Sequence, residues 1–398
     1  MDNSVLRQVA DCSFGHEMRQ FWRLEPGMHF LNHGSFGATP RYVLAAQEAW
    51  RAQMEAQPVR FMTSELPLAL RAAAARLGDF LGCAGERIAW VDNATTAINA
   101  VLRSFPWRAG DEIVVADHAY LAVRHTVDFV ARRYGLRIKT ARIPFPSLHE
   151  DAVLQAYCAA IGAQTRLAIV DHIFSPLALV APLAKIAAHC KALGVAVLAD
   201  GAHAPGAIPL QLDTLGALGV NWYVGNCHKW LLSPKGCAFL YATPEAAVEL
   251  HPATISNFFG EGMTREFDWQ GTRDCSAWLA TTAALEFLQA IGVERYRDYL
   301  KNLANEAARC LCDGWRVALP AAENQFAAMA TVPLPSSFSG EATPAGAARL
   351  HDRLWEAHRI EVPVLAFDDR LWVRISAQIY NELADYAALM RAIREIGG

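Results

Sequence analysis

The sequence predicts an α/β protein: a mostly parallel central sheet with helices on both faces, followed by a smaller C-terminal α+β domain. Three observations predict it. Short apolar runs bounded by turn residues recur between about residues 40 and 240. Alanine-rich amphipathic stretches of helix length separate most of them. After about 275 the pattern changes to long helical stretches and then a mixture of strand and helix.

Taken in order, the strand candidates are RIAWVDN (87–93), DEIVVAD (111–117), RLAIVDHI (166–173), VAVLAD (195–200), NWYVGN (221–226) and GCAFLY (236–241). Both faces of these runs are apolar, as in parallel strands covered on each side. Helix-length stretches fall at 66–81, 119–134 and 182–193, and in the C-terminal part at 276–291 and 295–312. VPLPSSFSGEATPAG (332–346) is rich in proline and serine and predicts a surface loop. The organisation expected is an N-terminal segment (1–35) near the active site and small domain, a large sheet domain (36–274) and a small domain (275–398).

An apolar fraction of 53% against 19% charged residues in a chain of 398 describes a globular protein with a large core. A net charge of −4 without a sizeable basic run argues against a nucleic-acid surface or a polybasic membrane anchor. The N-terminus is polar and acidic, so no signal peptide is expected, and no apolar stretch is long enough for a membrane span. Nine scattered cysteines suit a reducing cytoplasm, and Cys310 and Cys312 lack a second pair that would suggest zinc.

In open parallel sheets ligands bind beyond the carboxyl ends of the strands. Asp117–His118, Asp171–His172, Asp200 with His203, and Asn226 with His228–Lys229 each follow an apolar run directly. Four strand ends thereby deliver polar groups to one edge.

Lys229 follows an apolar strand and precedes an apolar WLL, surroundings that favour the neutral amine that attacks aldehydes. Taken alone it would be read as a snorkelling or ion-paired lysine. Asp200 ends VAVLAD and opens DGAHAPG (200–206); such a carboxylate either caps a helix or keeps a pyridine nitrogen protonated. In NATTAIN (93–99), Thr95 and Thr96 stand where a strand meets a helix, a place for an anion and equally for an ordinary cap. No G-x-x-x-x-G-K-[ST] or G-x-G-x-x-G motif competes. His118 or Tyr120 could lay a flat ring over a heteroaromatic cofactor. Arg374, in the apolar VRISAQIYN (373–381), needs an anionic partner, either a substrate carboxylate or an internal salt bridge.

Together these segments resemble the class V aminotransferase family of fold-type I pyridoxal 5′-phosphate (PLP) enzymes, and within it the isopenicillin N epimerase-like branch. The resemblance runs through FLNHGSFGATP (30–40), NATTAIN, VDHIFSP (170–176), DGAHAPG, NCHKWLLSPKG (226–236), WQGTRD (269–274) and VRISAQIYN. It implies that Lys229 carries PLP as an aldimine, that Asp200 partners the pyridine nitrogen, and that His203 lies beside the phenolic oxygen. It places His118, with Tyr120 a competitor, over the ring, and His172 near the cofactor. Phosphate contacts fall to Thr95, Thr96, His228 and, from the other subunit, Thr272. Asn32, His33 and Arg374 would meet the substrate. A homodimer with shared active sites is implied.

One departure restricts the reaction. Cysteine desulfurases of this class use a cysteine just before the C-terminal arginine segment, and EVPVLAFDDRLWVRIS (361–376) has none. The expected chemistry is cleavage at the Cα of an amino acid, epimerase-like, with C–S lysis or transamination as alternatives. From another class, a metal-dependent hydrolase would use Asp171, His172, Asp200, His203 and His228 as ligands. It leaves Lys229 and the threonines without a role. A non-catalytic cofactor-binding regulator ranks lower still.

Overall fold

The computed structural model describes residues 3–146 and 149–397. Its strands are β1 (His29–Phe30), β2 (Ile88–Val91), β3 (Glu112–Ala116), β4 (Arg137–Ala141), β5 (Thr165–Asp171) and β6 (Ala196–Asp200). There follow β7 (Val220–Asn226), β8 (Ala238–Ala242), β9 (Met329–Pro333), β10 (Ile360–Glu361), β11 (Val364–Phe367) and β12 (Arg370–Ser376).

Seven strands form the main sheet in the order β2-β8-β7-β6-β5-β3-β4. From β7 to β4 the neighbours are parallel, whereas β8 is antiparallel to both β7 and β2. Every residue of β2, β3 and β8 is buried, which is why those runs are apolar on both faces. The sequence reading missed β4, RIKTA, because it is an edge strand and only Ala141 is buried. Arg137 and Lys139 flank Glu112 along that edge, and charge there opposes pairing with another chain.

Helices Leu66–Leu81, Ala94–Ser104, Leu121–Tyr134, Glu150–Ala160 and Leu183–Ala192 connect the strands. The C-terminal part contributes Thr281–Ile291, Val293–Trp315, Pro344–His358 and Leu383–Gly397 around an antiparallel sheet ordered β11-β12-β9. The loop expected over 332–346 is shorter, because β9 takes Val332 and Pro333 and a helix begins at Pro344. Thr343 Oγ1 accepts from the Gly346 N–H at 3.0 Å, and Pro344 supplies a preset φ at the first helical position.

The N-terminal segment is sewn into the C-terminal part. β1 pairs in parallel with β10, His29 opposite Ile360. The fully buried Asp385 accepts from His29 Nδ1 at 2.7 Å, His16 Nε2 at 3.1 Å and Arg19 at 3.4 Å. Residues 33–37 are thereby carried toward the carboxyl ends of the main sheet.

Candidate active site

A cavity of about 630 Å³ lies at the carboxyl ends of β5, β6 and β7. It adjoins the place where the chain's path reverses, with β4 built on one side of β3 and β5 to β7 on the other.

Lys229 stands in the tight turn between β7 and β8. The turn closes through Leu232 N–H to Lys229 O and Ser233 N–H to Cys227 O, each at 3.1 Å. Two glycines let other chain segments lie against it. A Cβ on Gly37 would strike His228 O and one on Gly206 would strike Trp230 O, and both residues have positive φ. Lys229 is 8% exposed, and its Nζ lies 3.1 Å from His203 Nε2. Burial pushes the ammonium down to about 7; the Arg374 charge adds to this and Asp200 opposes it. Near neutrality a large share of this amine is therefore unprotonated.

Asp200 ends β6 and its Oδ1 accepts from the Ala202 N–H at 3.0 Å. Burial raises its pKa, while that N–H and Lys229 restrain the rise. Its register partner on β5 is Asp171. Burial, and then the Asp200 charge, drive Asp171 well upward, and its buried Oδ2 has no partner among the described residues. Asp200 has the N–H and the cation, so the negative charge of the pair resides there. Burial first, then the charges of Lys229, Arg374 and His228, hold His203 neutral, and its buried Nδ1 has no partner among the described residues.

The helix Ala94–Ser104 points its N-terminus at the same cavity. Asn93 Oδ1 accepts from the Thr96 N–H at 2.9 Å and its hydroxyl at 3.2 Å, and Asn226 Oδ1 accepts from the Ala94 N–H. Among the described residues the N–H and hydroxyl of Thr95 have no partner. They are free donors at the positive end of a helix. His228 sends Nδ1–H to Cys237 O at 3.0 Å, and burial takes its pKa to about 4. It can offer Nε2–H only as a cation, a form that a neighbouring anion would favour.

Arg374, on β12, is 5% exposed. It donates to Ser175 O and Oγ, both at 2.9 Å, and to Ser35 Oγ at 3.0 Å; its Nε has no partner among the described residues. Among the described residues no acidic side chain pairs with it, so the internal salt bridge is not what keeps it there. Burial lowers its pKa only to about 10, and it remains a buried cation facing the cavity.

The structure brings Lys229, Asp200, His203, His228, Thr95, Thr96, Tyr120 and Arg374 into one cavity wall. It does not bring in His118, whose ring meets Phe367 edge-on at 5.4 Å. His172 lies outside the wall because its Nδ1 is bonded to Tyr223 Oη at 2.8 Å. Thr272 is exposed in a loop outside it, although the adjacent Arg273 reaches Asp92 on the wall at 3.1 Å. Asn32 turns to Glu361 at 2.7 Å, and His33 is fully buried against the back of Lys229. Ser35 and Phe36 line the cavity instead. The sequence reading missed Ser35, Ser175 and Lys235, whose residue types are too common in loops to stand out. Among the described residues no three His, Cys, Asp or Glu side chains are arranged to hold a metal ion, so the Asp/His ligand set is not assembled.

A lysine whose ammonium is disfavoured by burial, a buried carboxylate at the end of the neighbouring strand β6, and free donors at a helix N-terminus fit the aldehyde, pyridine nitrogen and phosphate of PLP. The unpartnered His203 Nδ1 adds a polar atom for the phenolic oxygen. Fold and site define a PLP-dependent enzyme of fold type I. The chain belongs to the class-V aminotransferase family, whose model matches residues 30–340. It is 34% identical over 394 residues to an isopenicillin N epimerase of Amycolatopsis lactamdurans, covering 94% of this chain and 96% of the relative. It is 30% identical to a probable chloroplastic L-cysteine desulfhydrase of Arabidopsis thaliana, covering 94% and 84% respectively. A solved cystine C–S lyase in complex with cysteine persulfide shares the fold, with TM-score 0.77, 22% identity and coverage of 94% and 99%.

Proposed function

We propose that this enzyme cleaves the Cα–H bond of an amino acid or amino-acid-derived substrate and returns a proton to the opposite face, as an epimerase of the isopenicillin N epimerase-like type. The observation that carries the reading is the buried Lys229 amine, its pKa lowered to about 7, sharing a cavity with a buried Arg374 that pairs with no carboxylate among the described residues. The full-length likeness to isopenicillin N epimerases supports the branch.

PLP, when bound, supplies the electron sink that makes the Cα proton acidic. The residues of the chain do the rest. Arg374 receives the substrate carboxylate, and its planar guanidinium, held by Ser35 and Ser175, sets the carboxylate's orientation. Lys229 Nζ takes the proton from Cα. Asp200 lines the cavity, and the Ala202 N–H and Lys229 favour its ionised form against the effect of burial. Thr95, Thr96 and His228 form the phosphate end, and the exposed Tyr120 also lines the cavity. Among the described residues no cysteine lines the cavity.

A second reading, β-elimination of sulfide from cysteine, is favoured by the 30% identity to desulfhydrases over nearly the whole chain. Incubation with L-cysteine and a panel of chiral amino acids in deuterated water separates them. Deuterium at Cα with inversion supports epimerisation; pyruvate with sulfide replaces it with lysis; a keto acid with the amine form of the cofactor replaces it with transamination.

The reading includes a homodimer. Phe36, 72% exposed, and the exposed Tyr120 stand on the cavity rim, and an apolar rim of that kind suits a partner surface. Thr272 would then contribute to the partner's phosphate end. Sedimentation giving the monomer mass would refute this part.

A further inference from the structure

His33 was expected to meet substrate, yet it faces the main chain of Lys229. Its Nε2 is 3.0 Å from Lys229 O, and its Nδ1 is 2.7 Å from Tyr380 Oη and 3.4 Å from Ala38 N. A carbonyl can only accept and an amide N–H can only donate, so these two backbone groups assign the tautomer. Nε2 carries the hydrogen and gives it to Lys229 O, while Nδ1 is the acceptor. The Tyr380 hydroxyl adapts by donating to Nδ1. His33 is fully buried, and burial lowers its pKa to about 3, so it stays in this neutral form at physiological pH.

The next carbonyl is held from the same side. Tyr296 Oη donates to Trp230 O at 3.0 Å and accepts from Gln378 Nε2 at 3.0 Å. Gln378 Nε2 also lies 3.1 Å from His33 Nε2, but with the hydrogen on His33 Nε2 both are donors and no hydrogen bond joins them; the Gln378 oxygen accepts from the Ile379 N–H at 2.8 Å. The Trp230 ring lies 5.0 Å from the imidazole. Two consecutive carbonyls, those of Lys229 and Trp230, are therefore gripped by side chains from the N-terminal segment and the C-terminal part. Two residues beyond His33, Ser35 holds Arg374.

We propose that His33 is a positioning residue for Lys229, locking the main chain of the lysine so that its amine stays in the buried place beside His203. This rests on Lys229 being the amine that reacts with PLP. Without the Nε2–H bond the turn can shift, the side chain gains access to water, and the amine returns toward its ordinary protonated state.

The test follows PLP uptake by the cofactor-stripped full chain as visible absorbance across pH, with thermal unfolding measured in parallel. His33→Leu is expected to move the pH midpoint of uptake upward by about one unit and to slow uptake at pH 7 about fivefold. His33→Gln, whose amide can still donate to Lys229 O, is expected to stay near wild type. Tyr299→Phe removes a hydrogen bond to Asn381 O (2.6 Å) elsewhere in the C-terminal part and should lower thermal stability without moving the midpoint. An unshifted midpoint in a folded His33→Leu protein, or an equal shift in Tyr299→Phe, overturns the proposal. Should His33→Leu fail to fold, Tyr380→Phe decides, because loss of its hydroxyl frees the wrong tautomer and predicts a smaller upward shift; no shift overturns the proposal. Borohydride reduction followed by peptide mapping separates the two levels. A label on another lysine defeats the reading of Lys229 itself, whereas a label on Lys229 with an unmoved midpoint defeats only the role of His33.

Discussion

Nζ of Lys229 and Nε2 of His203 stand 3.1 Å apart, each just beyond the end of a different strand and each largely buried. The imidazole is held neutral, so it offers the lysine a lone pair and no charge. An ammonium in this place loses hydration without gaining a full counter-ion, which is why its pKa lies at about 7. Covalent uptake of PLP by the wild-type chain should therefore rise with pH through about 7 and fall about tenfold for each unit below it. Stopped-flow absorbance against pH checks this. Lys229→Ala should abolish borohydride labelling and lower turnover by about 10² to 10⁴-fold.

Asp200→Asn tests charge separately from shape. The amide oxygen of asparagine can still accept from the Ala202 N–H, so thermal stability should change little. The negative charge is lost, and turnover should fall about 10²-fold or more. A variant with near-normal turnover would remove Asp200 from the mechanism.

Arg374→Lys keeps the charge and loses the fork. Lysine has no planar pair of donors to meet both Ser175 and Ser35 while presenting two hydrogens to a carboxylate. KM should rise about 10- to 100-fold, the loss expected of about one charge-assisted hydrogen bond, with kcat less affected. Steady-state kinetics on the preferred substrate measures the split.

Asp385 governs acid stability. Burial alone would raise its pKa, but the hydrogen bonds from His29, the Glu382 N–H and His16 outweigh it and lower the value from 3.8 to about 2. A depressed folded-state value means stability that is present above pH 3.8 and lost as the pH falls through about 2. The shift corresponds to about 2 kcal/mol. Asp385→Asn should lose about that much in urea unfolding near neutrality, and the difference from wild type should vanish in strong acid. Because this carboxylate ties down His16, Arg19 and His29, the variant should also expose the N-terminal segment to protease.

Much of the sheet was legible in the sequence for a simple reason. Runs such as DEIVVAD and VAVLAD are apolar on both faces only when both faces are covered, and each of the six runs overlaps a strand of the main sheet to within a residue or two. RIKTA escaped notice because an edge strand does not need that pattern. Of the site residues, those placed by a strand end or a helix start, Asp200, Thr95 and Lys229, could be located from local pattern. His118 and His172 follow strand ends in the same way, yet one ring packs on Phe367 and the other bonds Tyr223. A strand end fixes where a backbone arrives, whereas the rotamer depends on neighbours brought from elsewhere.

Alternating apolar runs and helical stretches determined, by themselves, an α/β chain that presents acids, imidazoles and one lysine at a single sheet edge. The tertiary structure alone decided that His33 holds the lysine's backbone, that serines hold Arg374, and that Asp171 gives up its charge to Asp200. Those outcomes depend on partners far away in the chain: His33 lies 196 positions from Lys229 and 347 from Tyr380. Local periodicity carries no information over such separations, because hydrogen bonding and desolvation are set by which groups folding brings together.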